Sequence, residues 1–154
     1  VNKAVSDNDG KAKLFLSNED NFGDQRVYDP KDKRKSVFIQ TVKLDSFFSK
    51  RRKKVNVIKM DIQGSETQAL KGASGIIRKN KRMKIFTEFW PRGLHQGGSS
   101  GRDYLKLLKE NKFKIYEISD SAKTISTLSF QKILNSYPQD SFFNTNLLCV
   151  KTSD

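Results

Sequence analysis

The sequence predicts an α/β fold, a mostly parallel sheet flanked by helices with an antiparallel edge, and three stretches carry that reading. From Val55 to Ala73 (VNVIKMDIQGSETQALKGA) an apolar, β-branched run gives way to polar residues around Gly64. Beyond it Ala69, Leu70, Ala73, Ile76 and Ile77 recur at helical spacing. That is a strand buried on both faces, a tight turn and a helix. Lys84 to Pro91 (KIFTEFWP) reads as a second buried strand, and Tyr104, Leu105, Leu107 and Leu108 line one face of a second helix. Strand and helix therefore alternate, and ligands of such sheets sit at the carboxyl ends of strands.

The remaining elements follow in chain order. Residues 2–7 (NKAVSD) read as the tail of a strand, and Asn8-Asp9-Gly10 as a hairpin turn into a strand over Lys11 to Leu16. Opening on a strand, without methionine, suggests that something upstream is missing. Residues 17–35 are polar and read as a mobile surface loop. Ser36 to Val42 alternates as a strand, and Asp45 is placed to cap a short helix carrying Phe47 and Phe48. After Pro91, which cannot continue a ladder, GLHQGGSSG reads as a flexible loop, and Ser99 or Ser100 caps the helix that ends near Asn111. Phe113 to Ile118 and Thr145 to Val150 read as late strands, with a short helix around Phe130, Ile133 and Leu134.

Composition sets limits. With 154 residues and 35% apolar content, one domain over residues 1–154 is expected. No apolar run spans a bilayer and no signal core opens the chain, so a soluble, cytoplasmic protein is expected. Cys149 has no partner for an internal disulfide, and its apolar surroundings point to a buried structural thiol. One histidine excludes the common zinc patterns, and no metal site is expected. The net charge of +13 gathers in KDKRK (31–35), KRRKK (50–54) and RKNKRMK (78–84). Nucleic acid could use such patches. Exposed lysine at element ends is the favoured reading, because no zinc finger, ribonucleoprotein motif or reader helix accompanies them.

Carboxylates mark the candidate site. Asp61 ends the Val55–Met60 strand, Glu66 enters the following helix, and Glu88 holds the corresponding place on the next strand. Alone, Asp61 and Glu66 are explained by turn amides and the helix dipole. Adjacent parallel strands lie about 4.8 Å apart, so Asp61 and Glu88 can share a cleft and bind a cation, orient a hydroxyl or take a proton. His95, close behind, is the single histidine, the residue type most often used for proton transfer. Neither G-x-G-x-x-G nor a P-loop is present.

VIKMDIQGSETQALKGA resembles the I-K-hydrophobic-D-hydrophobic-(E/Q)-G-x-E-x-x-x-L-x-G-A segment of FkbM-type methyltransferases. NKAVSDNDG, TVKLDSFF, TEFWPRGL and the closing strands are similar to the family's flanking segments. The resemblance implies the C-terminal two thirds of a Rossmann-like class I methyltransferase domain lacking the first two strands. It implies S-adenosylmethionine as cofactor and methyl transfer to a hydroxyl of a small molecule or sugar. It sets Asp61 and Gln63 beside the cofactor's methionine end, Ser6 and Asp7 on the adenine side, and Glu88 and His95 facing the acceptor. The family's glycine-rich loop and its ribose-binding acid are not in this sequence, so this chain is expected to bind the cofactor poorly or not at all. The Val55–Met60 strand should carry an unpaired edge that could join two copies in a homodimer. The rival expectations are a non-catalytic remnant and a basic nucleic-acid-binding module.

Overall fold

A computed structural model describes residues 1–17, 21, 23–50, 54–119 and 121–151. Arg51 to Lys53, the centre of the KRRKK run, lie outside the described residues. The first half forms a three-stranded sheet of β1 (Ala4–Val5), β3 (Ser36–Val42) and β2 (Gly10–Phe15), in that spatial order. β1 runs parallel to β3, and β2 antiparallel to it. The expected hairpin is thus opened by β3 inserting between its arms. The turn residues explain why: Asn8 Oδ1 accepts from Thr41 Oγ1 (3.1 Å), and Asp9 accepts from Lys43 N (3.0 Å) and Ser46 Oγ (2.5 Å). The turn is tied to the exit of β3 rather than to its own strands.

The second sheet has five strands in the order β4 (Val57–Met60), β5 (Met83–Phe89), β8 (Thr145–Lys151), β6 (Phe113–Ser119), β7 (Thr124–Thr127). Only β4 and β5 pair in parallel; β8 runs antiparallel to both β5 and β6. The antiparallel strand therefore lies inside the sheet, not only at its edge, which corrects the mostly parallel expectation. β7 was not foreseen, because TIST is short and fully exposed.

Helices cover one face. On β5, Met83, Ile85, Thr87 and Phe89 are buried while Lys84 and Phe86 are exposed. The period of two assigns the first set to the core. That core joins Ile85, Phe89, Leu147 and Cys149 to Leu70 and Ile77 and to Leu105 and Leu108 of α5 (Gly101–Glu110). Tyr104 of α5 donates to Thr87 Oγ1 at 2.8 Å, satisfying two polar groups in the apolar layer. Cys149 is a buried free thiol pushed up to about 12 by desolvation. β4 stands at the sheet edge and its Val57 is 57% exposed, so it is not the doubly buried strand the apolar run suggested.

The helix after β4 is broken in two, α2 (Glu66–Gly72) and α3 (Ser74–Lys79). Asp45, expected to cap the short α1 (Leu44–Phe48), sits inside that helix's first turn. It caps α3 instead, accepting from Gly75 N (2.7 Å) and Ile76 N (2.8 Å). Pro91 starts α4 (Pro91–Gln96) where a loop was expected, since a proline's missing N–H costs nothing at the first helical position. Ser100 caps α5 as expected, and Ser129 caps α6 (Phe130–Ser136). Among the described residues no helix is long and apolar enough to cross a membrane.

The turn after β4 is set by Gly64, with φ +97°, behind Gln63 at +53°. A Cβ on Gly64 would lie 2.3 Å from the carbonyl oxygen of Gly93, so the turn rests directly on the backbone of α4. Gly64→Ala is expected to lower stability by about 1–3 kcal/mol, from backbone strain and the displaced helix. Urea unfolding measures it, and an unchanged midpoint would show the contact to be loose.

Candidate functional site

The parallel register of β4 and β5 builds the site. Met60 lies opposite Thr87, so the next residues, Asp61 and Glu88, are neighbours at the carboxyl ends of the two strands. Asp61 is exposed and satisfied: Lys59 Nζ lies 2.8 Å from its Oδ2, and Gln63 Nε2 donates to its Oδ1 at 3.0 Å. Glu88 is different. It is half-buried, and its Oε2 is out of solvent with no hydrogen-bond partner among the described residues. Desolvation, with the negative fields of Asp61 and Glu66 and against the weaker pull of Lys59, pushes its carboxyl up to about 7. A carboxyl that titrates near neutrality suits proton transfer.

Glu66 is buried and holds the turn. Its Oε1 accepts from Ile62 N at 3.1 Å, reaching back across Gln63, Gly64 and Ser65. Burial raises its pKa, while hydrogen bonds from backbone N–H groups of Glu66, Ile62 and Gly64 oppose that. A hollow of about 290 Å³ opens beside Glu88, walled by Lys59, Phe86, Ile118, Asn146 and Leu147. That is the lower end of the range for small-ligand pockets, roughly 300 Å³ upward. No group of three His, Cys, Asp or Glu side chains among the described residues is placed to hold a metal ion.

The segment read as a mobile loop packs against the Gly64 turn and α4. Phe15 and Arg26 exchange backbone hydrogen bonds, and Arg34, with a side chain only 7% exposed, bridges Asp24 and Asp32. Arg26 pairs with Asp24 (2.7 Å) and donates to Gln96 at 3.0 Å. Its guanidinium lies 5.0 Å from the Trp90 ring centroid and 5.7 Å from that of Tyr28. The Tyr28 hydroxyl, buried and without a partner among the described residues, abuts the Gly64 turn. Arg26 and Tyr28 were not candidates, because a polar loop gives no periodicity that would place them.

Ser6 and Asp7 lie apart from Asp61 and Gln63, and His95 is not bonded to them. Ser6 and Asp7 follow β1, where the Ser6 carbonyl packs on Gly72 at the far end of α2 from Asp61 and Gln63. A helix of that length spans about 10 Å. His95 is exposed in the last turn of α4 and makes no side-chain hydrogen bond to any of the carboxylates. The structure thus joins Asp61, Gln63 and Glu88, sets Ser6 and Asp7 at the other end of α2, and leaves His95 exposed on α4.

The model of one protein family, described as methyltransferase FkbM domain, matches residues 2–115. No curated protein and no solved structure gives a match.

Because the Glu88 pKa is raised in the fold, the folded chain binds the extra proton between about 4.5, the ordinary value, and about 7. Stability conferred by that protonated carboxyl is present at low pH and is lost as pH rises through 7. Glu88→Gln is therefore expected to melt above the parent at pH 8 and with it at pH 5. Scanning calorimetry at both values is the check, and an equal difference at each pH would show that Glu88 titrates normally.

Proposed function

The chain belongs to the FkbM methyltransferase domain family, and on that premise we propose that it carries the acceptor side of a site for O-methylation by S-adenosylmethionine. The sheet supports a Rossmann-like class I layout, with β4 and β5 parallel and β8 reversed between β5 and β6. The observation that carries the reading is the unpartnered Glu88 oxygen beside a hollow, one register step from Asp61.

When bound, S-adenosylmethionine supplies an electrophilic methyl group on a positively charged sulfonium. The chain's own residues fit that charge, since Asp61, Glu66 and Glu88 make an acidic corner in which Lys59, among the described residues, offsets the field at Glu88. Asp61 and Gln63 hold the methionine end, while Ser6 and Asp7 reach the donor from the far end of α2. Glu88 accepts the hydroxyl proton of a small-molecule or sugar acceptor held in the hollow, and His95 is the second candidate base. Phe86, Ile118 and Leu147 give the hollow its apolar wall. Rate comes chiefly from holding the acceptor oxygen in line, with the proton removed as the bond forms.

The test is transfer of tritiated methyl from saturating S-adenosylmethionine to a panel of glycosides and hydroxylated small molecules between pH 5.5 and 8.5. Incorporation should rise through pH 7, and Glu88→Gln should lower it about 100-fold or more while the fold is kept. Equal incorporation by Glu88→Gln removes that residue from the site. No incorporation into any acceptor, with the donor bound, supports the non-catalytic remnant.

A further inference from the structure

Lys54, the last residue of one basic run, meets the 78–84 run at the opposite end of the five-stranded sheet. A cleft of about 1020 Å³ is walled by Lys54 before β4, by Lys79, Lys81, Arg82 and Lys84 around the start of β5, and by Lys151 at the end of β8. No acidic side chain lines it. None of the ion pairs among the described residues involves any of these six cations. Elsewhere the chain does neutralise such groups, as Arg26 and Arg34 with Asp24 show. Lys151 is committed to the wall itself, donating to the carbonyl of Ile77 at 2.6 Å. The other five are exposed. Like charges drawn together without counter-charge oppose folding unless an anion joins them.

The shape and the neighbouring surface narrow the anion. The cations line a cleft rather than a flat patch, so a thin chain can lie among them where a lipid headgroup plane would meet only some of them. The volume is at the top of the range for small-ligand pockets, roughly 1000 Å³, and the cations spread along both walls, which suits several phosphates rather than one. Asn56 and Asn80 add amides. Two residues beyond Lys84, on the same sheet face, the ring of Phe86 is exposed, and Leu148 and Tyr116 lie beside it in register. A positive groove leading to aromatic faces is how unpaired nucleic acid is held without regard to sequence.

We propose that this cleft binds the phosphodiester backbone of single-stranded nucleic acid, with bases lying over the Phe86 face. The basic cleft lies apart from the acidic corner, while Phe86 is shared with the hollow beside Glu88. Along β5, Lys84 and Glu88 are about 13 Å apart by strand rise.

The experiment is fluorescence anisotropy with labelled 12-nucleotide RNA and DNA single strands at 50 to 200 mM salt. Two charge-matched double variants decide it: Lys81→Glu with Arg82→Glu in the cleft, and Lys11→Glu with Lys13→Glu on the exposed side of β2. Each lowers the net charge of +13 by the same four units. The cleft variant should bind at least tenfold more weakly and flatten the slope of log affinity against log salt by about 1.4. The β2 variant should stay within about twofold of the parent. Equal losses in both variants, no binding by the parent, or tighter binding to phosphatidylserine vesicles than to either strand would overturn the proposal.

Discussion

The candidate site depends on a single pairing register. Parallel strands carry their chain directions together, so the residues that end β4 and β5 end at the same place, and Met60 opposite Thr87 leaves Asp61 beside Glu88. A slip of one residue would turn Glu88 to the helix-covered face, where Thr87 and Phe89 now sit. There an unpaired carboxyl would be far costlier than in its half-buried place. The core therefore fixes the register, and the register fixes the chemistry. Tyr104 strengthens that hold by bonding to Thr87, the residue between the core and the carboxylate.

Around that pair, backbone contact does what side chains do elsewhere. The left-handed step at Gln63 and Gly64 brings the turn against Gly93, and a Cβ on Gly97 would lie 2.3 Å from the carbonyl of Gly64. With Glu66 closing the turn from below, the strand end, the turn and α4 behave as one unit. Arg26 ties the long 23–35 segment to it through Gln96 and Trp90. The Gly64 turn and α4 are thus backed by the part of the chain with the least regular structure.

Much of the fold was legible where local pattern and tertiary role agree. Ser36 to Val42 reads as a strand and is one to the residue, though its burial does not alternate, and Ser100 caps α5 because its hydroxyl accepts from Asp103 N at 3.0 Å. Local pattern failed where a distant partner claims the group. Asp45 looked like a cap for its own helix and serves α3, some thirty residues on. Asn8-Asp9-Gly10 has the composition of a tight hairpin, yet β3 takes both flanking strands. Pairing of Asp61 with Glu88 could be read from equivalent positions on two strands; Arg26 and Tyr28 could not, since only folding brings a polar loop beside Gly64. The FkbM match over residues 2–115 agrees with the resemblance read from the Val55–Ala73 segment.

An acidic corner with one carboxyl held near neutrality is, in electrostatic terms, a place that favours an arriving cation. The most direct measurement is the side-chain carboxyl NMR titration of Glu88, alone and with saturating S-adenosylmethionine or its uncharged thioether product, S-adenosylhomocysteine. Alone, the midpoint should fall at about 7. The sulfonium should lower it and the thioether should not, because only a nearby positive charge favours the ionised form. A midpoint in the ordinary range near 4.5, or equal shifts with both compounds, would contradict the account.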